Sequence, residues 1–324
     1  MIKIGMVGAG DIAKTHIDNL SKIPDVRIGG VFDVVQEKSE SMASRLGAIA
    51  YNELESMLKN VDAIYVCTQP QFHRDIVIRA TEAGVHVFCE KPLSANLEDA
   101  IAIENAVITA KTIFMIGFNF RFSPIFISLK SLVESGKLGD IYSFWGIRVT
   151  WLPHLPPNWR TDPRFICGMT IESLSHDFDY MRWVVGDVTS VMGKVATSRS
   201  DLKGYDNIAS AIMSLKSGGM ADLHASWASH VGVSQYGVIG SLGSAVCEGG
   251  RVRYRIESDP SDSIIECNKP EDRISPYQRE SEHFIECIKT GKKPLTSVKD
   301  GVATVRISYA VLQSSQNGCL VSLD

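Results

Sequence analysis

The stretch Ile2-Lys-Ile-Gly-Met-Val-Gly-Ala-Gly-Asp-Ile-Ala13 decides the fold. Ile2, Ile4, Met6 and Val7 form an apolar run suited to a strand buried on both faces. Gly8, Gly10 and Ala13 follow at the G-x-G-x-x-G/A spacing. Gly8 permits the tight turn, Gly10 lets backbone approach a pyrophosphate, and small Ala13 lets the next helix pack against the strand. The start of that helix offers free N–H groups and a positive dipole end to phosphates. A second strand, Val26–Phe32, ends at Asp33, where a carboxylate can accept both hydroxyls of a ribose. Strand, glycine turn, helix, strand and acid together read as a dinucleotide-binding unit.

The totals narrow the class. At 324 residues the chain is long enough for two domains. No basic segment followed by an apolar core precedes the first strand, so no secretory signal is expected. No stretch reaches the length of an apolar membrane span. The net charge of −4 gives no electrostatic case for nucleic acid or an anionic membrane surface. The 7 cysteines are scattered (67, 89, 167, 247, 267, 287 and 319), with no C-x-x-C pair. That pattern argues against a zinc site or disulfide framework and for a reducing, cytoplasmic setting.

Up to about Phe118, strands and helices alternate. Helix Ile12–Ser21 leads to strand Val26–Phe32, helix Gln36–Leu46 and a short strand Ala48–Tyr51. Helix Glu53–Leu58, strand Ala63–Cys67, helix Phe72–Ala83 stopped by Gly84, strand His86–Cys89, helix Leu97–Ala110 and strand Ile113–Phe118 follow. Repeated βα units imply a parallel sheet with right-handed crossovers, and ligands then sit beyond the carboxyl ends of the strands. After helix Pro124–Ser135 the pattern changes. Strand Ile141–Thr150 enters a Pro- and Trp-rich loop, Trp151 to Pro163, and a single helix is expected from Thr170 to Val184. Strand-like runs then continue to Ile256, with a hairpin turn at Ser217-Gly218-Gly219, before helices Tyr277–Thr290 and Lys299–Ser315. The fold class is α/β: a Rossmann parallel sheet over residues 1–120, then an α+β domain over 121–324 with an open, mainly antiparallel sheet. The C-terminal helix is free to pack back on the first domain. An open sheet must cover its second face, so a homodimer or homotetramer built through that sheet is expected.

Two constellations could carry chemistry. Cys89-Glu90-Lys91-Pro92 sits at the end of a parallel strand, where Lys91 can donate to a substrate oxygen. The X-Pro bond holds Lys91 extended and can be cis. The bland alternative is a surface Lys–Glu pair. The second constellation is Thr170-Ile-Glu-Ser-Leu-Ser-His-Asp-Phe-Asp179. Glu172 and His176 are four apart, and Asp179 and Tyr180 continue that helix face. A carboxylate beside an imidazole is the usual arrangement for a general base acting on a hydroxyl, though a lone helical histidine is more often structural. No third ligand at sensible spacing supports a metal there, and none is expected.

Together these motifs resemble the glucose–fructose oxidoreductase and inositol dehydrogenase family (Gfo/Idh/MocA type) over essentially the whole chain. The resemblance is carried by the opening GMVGAGDIA, Val31-Phe-Asp33, Cys67-Thr-Gln-Pro-Gln-Phe-His73 and Cys89-Glu-Lys-Pro-Leu-Ser94. It continues in Gly117-Phe-Asn-Phe-Arg-Phe122, Pro157-Asn-Trp-Arg160 and Ser175-His-Asp-Phe-Asp179. The resemblance implies that Gly8, Gly10, Asp11 and Ile12 line the pyrophosphate and Asp33 the adenosine ribose. Thr68, Pro70, His73, Glu90, Lys91 and Asn119 then border the rest of the cofactor. It gives Lys91 the reacting oxygen, and makes His176 the proton acceptor in oxidation and donor in reduction. Glu172 stands where the family commonly has Asp. Arg121 and Asp179 would meet the substrate, with Trp151, His154 and Arg160 on a covering loop. Cys167-Gly168-Met169 replaces a common Gly-Gly pair, which puts the conformation of that loop in question. Tyr236 and Tyr277 are candidates for the pocket ranked below core residues.

Asp33 favours NAD, since its charge would repel a 2′-phosphate; Lys38 is the one nearby cation that could serve NADP. The expected activity is reversible hydride transfer between nicotinamide and a secondary alcohol of a sugar, polyol or sugar derivative. Two alternatives belong to other classes: a glycosidase that keeps its NAD and oxidises transiently, or a non-catalytic dinucleotide sensor.

Overall fold

A computed structural model of the chain describes residues 1–152, 159–160, 162, 164–198, 204–267, 269 and 274–323. In chain order the first elements are β1 (Ile2–Val7), α1 (Asp11–Leu20), β2 (Val26–Phe32), α2 (Gln36–Leu46), β3 (Ile49–Tyr51), α3 (Leu54–Leu58), β4 (Ala63–Val66), α4 (His73–Glu82), β5 (His86–Cys89), α5 (Leu97–Thr109) and β6 (Phe114–Ile116). There follow α6 (Pro124–Glu134), β7 (Ile141–Trp151), α7 (Gly168–Glu172), α8 (Ser175–Val185), β8 (Val188–Ala196), β9 (Ile208–Leu215), β10 (Met220–Ser226) and β11 (Ala228–Gly240). The last are β12 (Gly243–Glu248), β13 (Arg251–Ile256), β14 (Asp259–Glu266), α9 (Pro276–Thr290), α10 (Val298–Asn317) and β15 (Val321–Ser322). Two compact units result: Met1–Phe122 with Ile274–Val302, and Ser123–Arg273 with Ala303–Asp324. The sequence boundary at residue 120 left 274–302 in the second domain; here that segment belongs to the first unit.

The first unit holds a six-stranded sheet in the order β3-β2-β1-β4-β5-β6, parallel throughout. The order reverses between β1 and β4, the switch point beyond which such sheets bind ligands. Ile4, Met6, Tyr65 and Phe88 from the strands are buried with Ala13, Ile17 and Leu20 of α1 and with Phe284 and Ile285 of α9. The late helix α9 thus covers the face of α1 that the early sequence alone leaves unpartnered.

The second unit holds a nine-stranded sheet in the order β14-β13-β12-β11-β7-β10-β9-β8-β15. Its pairs are antiparallel except β7 with β10. The Gly218 turn takes the left-handed φ of +91° and joins β9 to β10 as the Ser-Gly-Gly reading expects. One sheet face carries helices: α6 packs on β12 and β13, α8 on β7, and a Cβ on Gly193 of β8 would strike Val311 of α10. The opposite face leaves Met192, Ile212, Met220 and Ile239 exposed.

The expected single helix from Thr170 to Val184 is two helices, α7 and α8. The break has a physical cause in Arg148 of β7, whose guanidinium takes the Ser173 carbonyl and hydroxyl, each at 2.9 Å. The same guanidinium grips the Asp177 carboxylate with Nε at 3.0 Å. The amides of Ser173 and Leu174 both turn back to the Met169 carbonyl, at 2.7 and 3.1 Å. Among the described residues, no helix is long and apolar enough to cross a membrane.

Candidate functional site

The glycine turn after β1 has the shape a pyrophosphate cradle needs. Gly8 adopts φ +94°, and a Cβ there would press on the Cys67 carbonyl, whereas a Cβ on Gly10 would point into open space. Gly10 caps α1 with extended backbone and no side-chain hydrogen bond to its first amides, so Asp11 and Ile12 stand at an open helix N-terminus. Ala13 is fully buried, which brings α1 close to the sheet. The Asp33 carboxylate is held from both sides: Ala9 N–H donates to Oδ2 and Val35 N–H to Oδ1, each at 2.8 Å. Each oxygen retains a lone pair for a ribose hydroxyl. Free amides, a cradle without side chains and a fixed acceptor pair fit a dinucleotide.

The turn after β4 starts with half-buried Thr68, and Pro70 opens a short 3-10 turn, Pro70–Phe72. His73 is fully buried, with Nε2 3.1 Å from the Thr68 carbonyl and Nδ1 3.2 Å from the Leu93 carbonyl. Burial depresses its basicity despite those carbonyls. A neutral ring donates to one of the two, so the histidine braces the turn from beneath rather than reaching a cofactor itself. Asn119 begins the second such turn, Asn119–Phe122.

At the end of β5, Lys91 is half-buried and its bond to Pro92 is cis. Glu90 is 6% exposed; its Oε2 accepts the Lys91 N–H at 3.1 Å and its Oε1 meets His16 Nε2 at 2.6 Å. Burial raises the Glu90 carboxyl, but the His16 hydrogen bond and the His16 and Lys91 charges prevail and leave it below its usual range. Arg121, expected at the substrate, is 5% exposed. Its guanidinium bonds the Leu295 carbonyl and the Asp300 carboxylate, both at 2.9 Å. That places it as a brace between the Asn119 turn and residues 295–300, and corrects the expectation.

In the second unit, Glu172 ends α7 and His176 lies in the first turn of α8, so the expected shared helix face is absent. Glu172 is instead held by Arg160, with Nε at 2.6 Å, and by the Tyr205 hydroxyl at 2.9 Å. Arg160 also lies over the Trp159 ring, 4.6 Å from its centroid. Trp151 stacks on His230 at 3.9 Å between centroids. His154 lies outside the described residues, as do Pro157 and Asn158 of the Pro157-Asn-Trp-Arg160 motif. His176 is half-buried, and Asp179 is fully buried. Gly168 takes φ +79°, and a Cβ there would collide with the Asp206 carboxylate. That carboxylate accepts the Thr170 amide and hydroxyl at 2.9 and 2.6 Å. The glycine requirement of this loop falls on Gly168, and Met169 beside it is simply core.

Arg148, which sequence reasoning did not single out, acts on the His176 turn together with Asp177 and Tyr236. Partly exposed Arg148 pairs with buried Asp177, and the Tyr236 hydroxyl donates to Asp177 at 2.6 Å. Burial works against the Arg148 charge, yet Asp177 and Tyr236 hold its pKa above the ordinary value. Tyr236 is 1% exposed, hence a core residue with one polar task. No sequence signal links Arg148 to Asp177. His16 could have been found: it falls on the buried stripe of α1 with Ala13, Ile17 and Leu20. No group of three or more His, Cys, Asp or Glu among the described residues could hold a metal.

Comparison with known proteins adds three findings. A sequence model described as "Oxidoreductase family, NAD-binding Rossmann fold" matches residues 2–118, and a GFO/IDH/MocA C-terminal domain model matches residues 126–246. The chain is 31% identical to the oxidoreductase YrbE of Bacillus subtilis (strain 168), over 100% of this chain and 97% of that protein. It is 30% identical to the myo-inositol 2-dehydrogenase of Thermotoga maritima, over 100% of this chain and 99% of that protein. The solved levoglucosan dehydrogenase complex with NADH and levoglucosan matches with a TM-score of 0.92 at 20% identity, covering 100% and 99% of the two chains. That last likeness is one of fold.

Proposed function

This chain belongs to the GFO/IDH/MocA oxidoreductase family, with an NAD-binding Rossmann fold, and we propose that it oxidises a secondary alcohol of an inositol-like polyol or sugar. The observation that carries the reading is the juxtaposition in the first unit of the dinucleotide cradle with Lys91, held at the carboxyl end of β5 by buried Glu90. The relatedness to a myo-inositol 2-dehydrogenase supports a polyol. NAD, when bound, takes up or returns the hydride. The Gly8–Ile12 turn binds its pyrophosphate and Asp33 its ribose. Lys91 donates to the reacting oxygen and stabilises the charge that develops on it, a preorganised electrostatic role. His176 takes the hydroxyl proton in oxidation and returns it in reduction. Glu172, tied to Arg160 and Tyr205, is assigned to shaping the loop that carries Arg160. Trp151, Arg160 and Asp179 remain substrate-side residues in this reading. Neither the internally cycling glycosidase nor the silent sensor draws support from the relatives named, which are oxidoreductases.

We place the protein in the cytoplasm on its seven free cysteines, of which six are buried, and read it as a homo-oligomer through the uncovered sheet face. The test of the activity is reduced-nicotinamide absorbance with NAD against inositols, free sugars and nucleotide sugars. Turnover is expected with a polyol or sugar, and Lys91→Ala should lower kcat by about 10²–10³-fold with NAD binding nearly unchanged. Near-normal turnover of Lys91→Ala would remove Lys91 from the chemistry.

A further inference from the structure

His16 occupies an unusual place. It lies on α1, the helix whose N-terminus faces the pyrophosphate cradle, yet its ring is fully buried. The rings of Phe88, Tyr65 and Tyr277 surround it, with centroids 5.0, 5.2 and 5.6 Å away. Its Nε2–H is aimed at Glu90 Oε1, 2.6 Å away, while Glu90 Oε2 accepts the backbone N–H of Lys91. Gly117 completes the slot: a Cβ there would come within 3.3 Å of Glu90 Oε1 and of the Phe88 ring.

We infer that His16 is a positioning residue for the reaction: from the cofactor-binding helix it grips the Glu90 carboxylate, and through Glu90 it fixes the strand end from which Lys91 meets the substrate oxygen. This rests on the role given to Lys91 above. The alternative is that the pair merely fills the core. Packing alone does not call for it, because apolar residues of similar volume commonly replace a buried ionic pair at no loss of stability. What an apolar pair cannot supply is direction, since a carboxylate bonded on both oxygens has one orientation. The charge distribution agrees. Glu280 of α9 is also fully buried, and burial together with the Glu90 charge keeps its carboxyl neutral well above the usual range. Two buried acids whose environments drive them apart leave the negative charge on Glu90, beside Lys91.

The test compares His16→Leu, His16→Gln and Lys91→Ala in the full-length protein, measuring kcat, KM, the NAD dissociation constant and Tm. A glutamine amide can place a donor near the Nε2 position. The expected result, read well below the Tm of each variant, is a fall in kcat of about 10- to 100-fold for His16→Leu, the scale of a misplacement near 1 Å, with NAD affinity little changed and a lower Tm because Glu90 is left buried without its partner. His16→Gln should recover most of that rate. Unchanged kcat in His16→Leu overturns the inference. Equal kcat impairment of both variants, or a loss of rate matched by a loss of NAD affinity, also overturns it and makes His16 structural. Lys91→Ala separates the two levels. If Lys91→Ala loses turnover while His16→Leu keeps the parent kcat, only this inference fails; if Lys91→Ala turns over near normally, the reading of Lys91 itself fails.

Discussion

A single buried carboxyl shows how environment decides what a residue can do. Glu280 and Glu90 are both acids of the first unit with almost no exposure, yet they titrate in opposite directions. Glu90 has a histidine and an N–H as partners. The two carboxyl oxygens of Glu280 have no hydrogen-bond partner among the described residues. An unpartnered buried polar group costs about 1–3 kcal/mol. The sign of the pH effect follows from the raised pKa. Below about 4.5 Glu280 is neutral in both folded and unfolded chains and imposes no ionisation penalty. As pH rises, the unfolded chain ionises while the folded one does not, so stability is progressively lost. Glu280→Gln removes that term. Its Tm should match the parent's near pH 4.5 and exceed it increasingly towards pH 8, by about 2–4 °C for each kcal/mol recovered. Parallel Tm curves across that range would show that Glu280 is ionised in the fold.

At the scale of elements, the α7–α8 break is the place where a distant residue overrides local preference. Asp177 is 2% exposed in its side chain and Arg148 a quarter exposed. Arg148→Met therefore strands a buried charge and should cost about 3 kcal/mol, the lower end for such pairs, read as the urea unfolding midpoint. It should also cut kcat, because the Ser173 carbonyl is released just ahead of His176. Adding Asp177→Leu should restore the midpoint without restoring kcat; recovery of both would show that the break plays no part in the chemistry. This break was illegible in the sequence, because Ser173 and Asp177 carry no mark of an arginine on β7. The same holds for His16 and Glu90, 74 residues apart. What was legible is local. The apolar and polar periods give β2, β5 and α2 with the bounds observed, and the glycine spacing gives the cradle. The resemblance put Arg121 at the substrate, and nothing local to it announces Asp300 and the Leu295 carbonyl, partners that enter from a distant stretch. β14 was missed because Asp-Pro-Ser-Asp-Ser reads as a turn.

For the whole molecule, the unsettled surface is the uncovered face of the nine-stranded sheet. Register places Met192 beside Ile212, Ile212 beside Asp222, Asp222 beside Trp145, and Trp145 beside Gly237. A Cβ on Gly237 would run into the Trp145 indole, so that ring lies over the glycine and flattens the centre of the face. Ile212 is 55% and Met220 46% exposed, and with Met192 and Ile239 they set exposed apolar side chains around Asp222 on this face, a clustering that marks interaction surfaces. A second copy of the same face is a self-complementary cover under two-fold symmetry. We therefore expect sedimentation to give twice or four times the 35.6 kDa of one chain at micromolar concentration. Ile212→Glu puts a second carboxylate beside Asp222 at the centre of that cover, where burying the two like charges together has no compensation. It should shift the mass to one chain while NAD binding, which belongs to the other unit, persists. A parent protein that sediments as one chain would overturn the oligomer, and the face would then need an occupant of different chemistry.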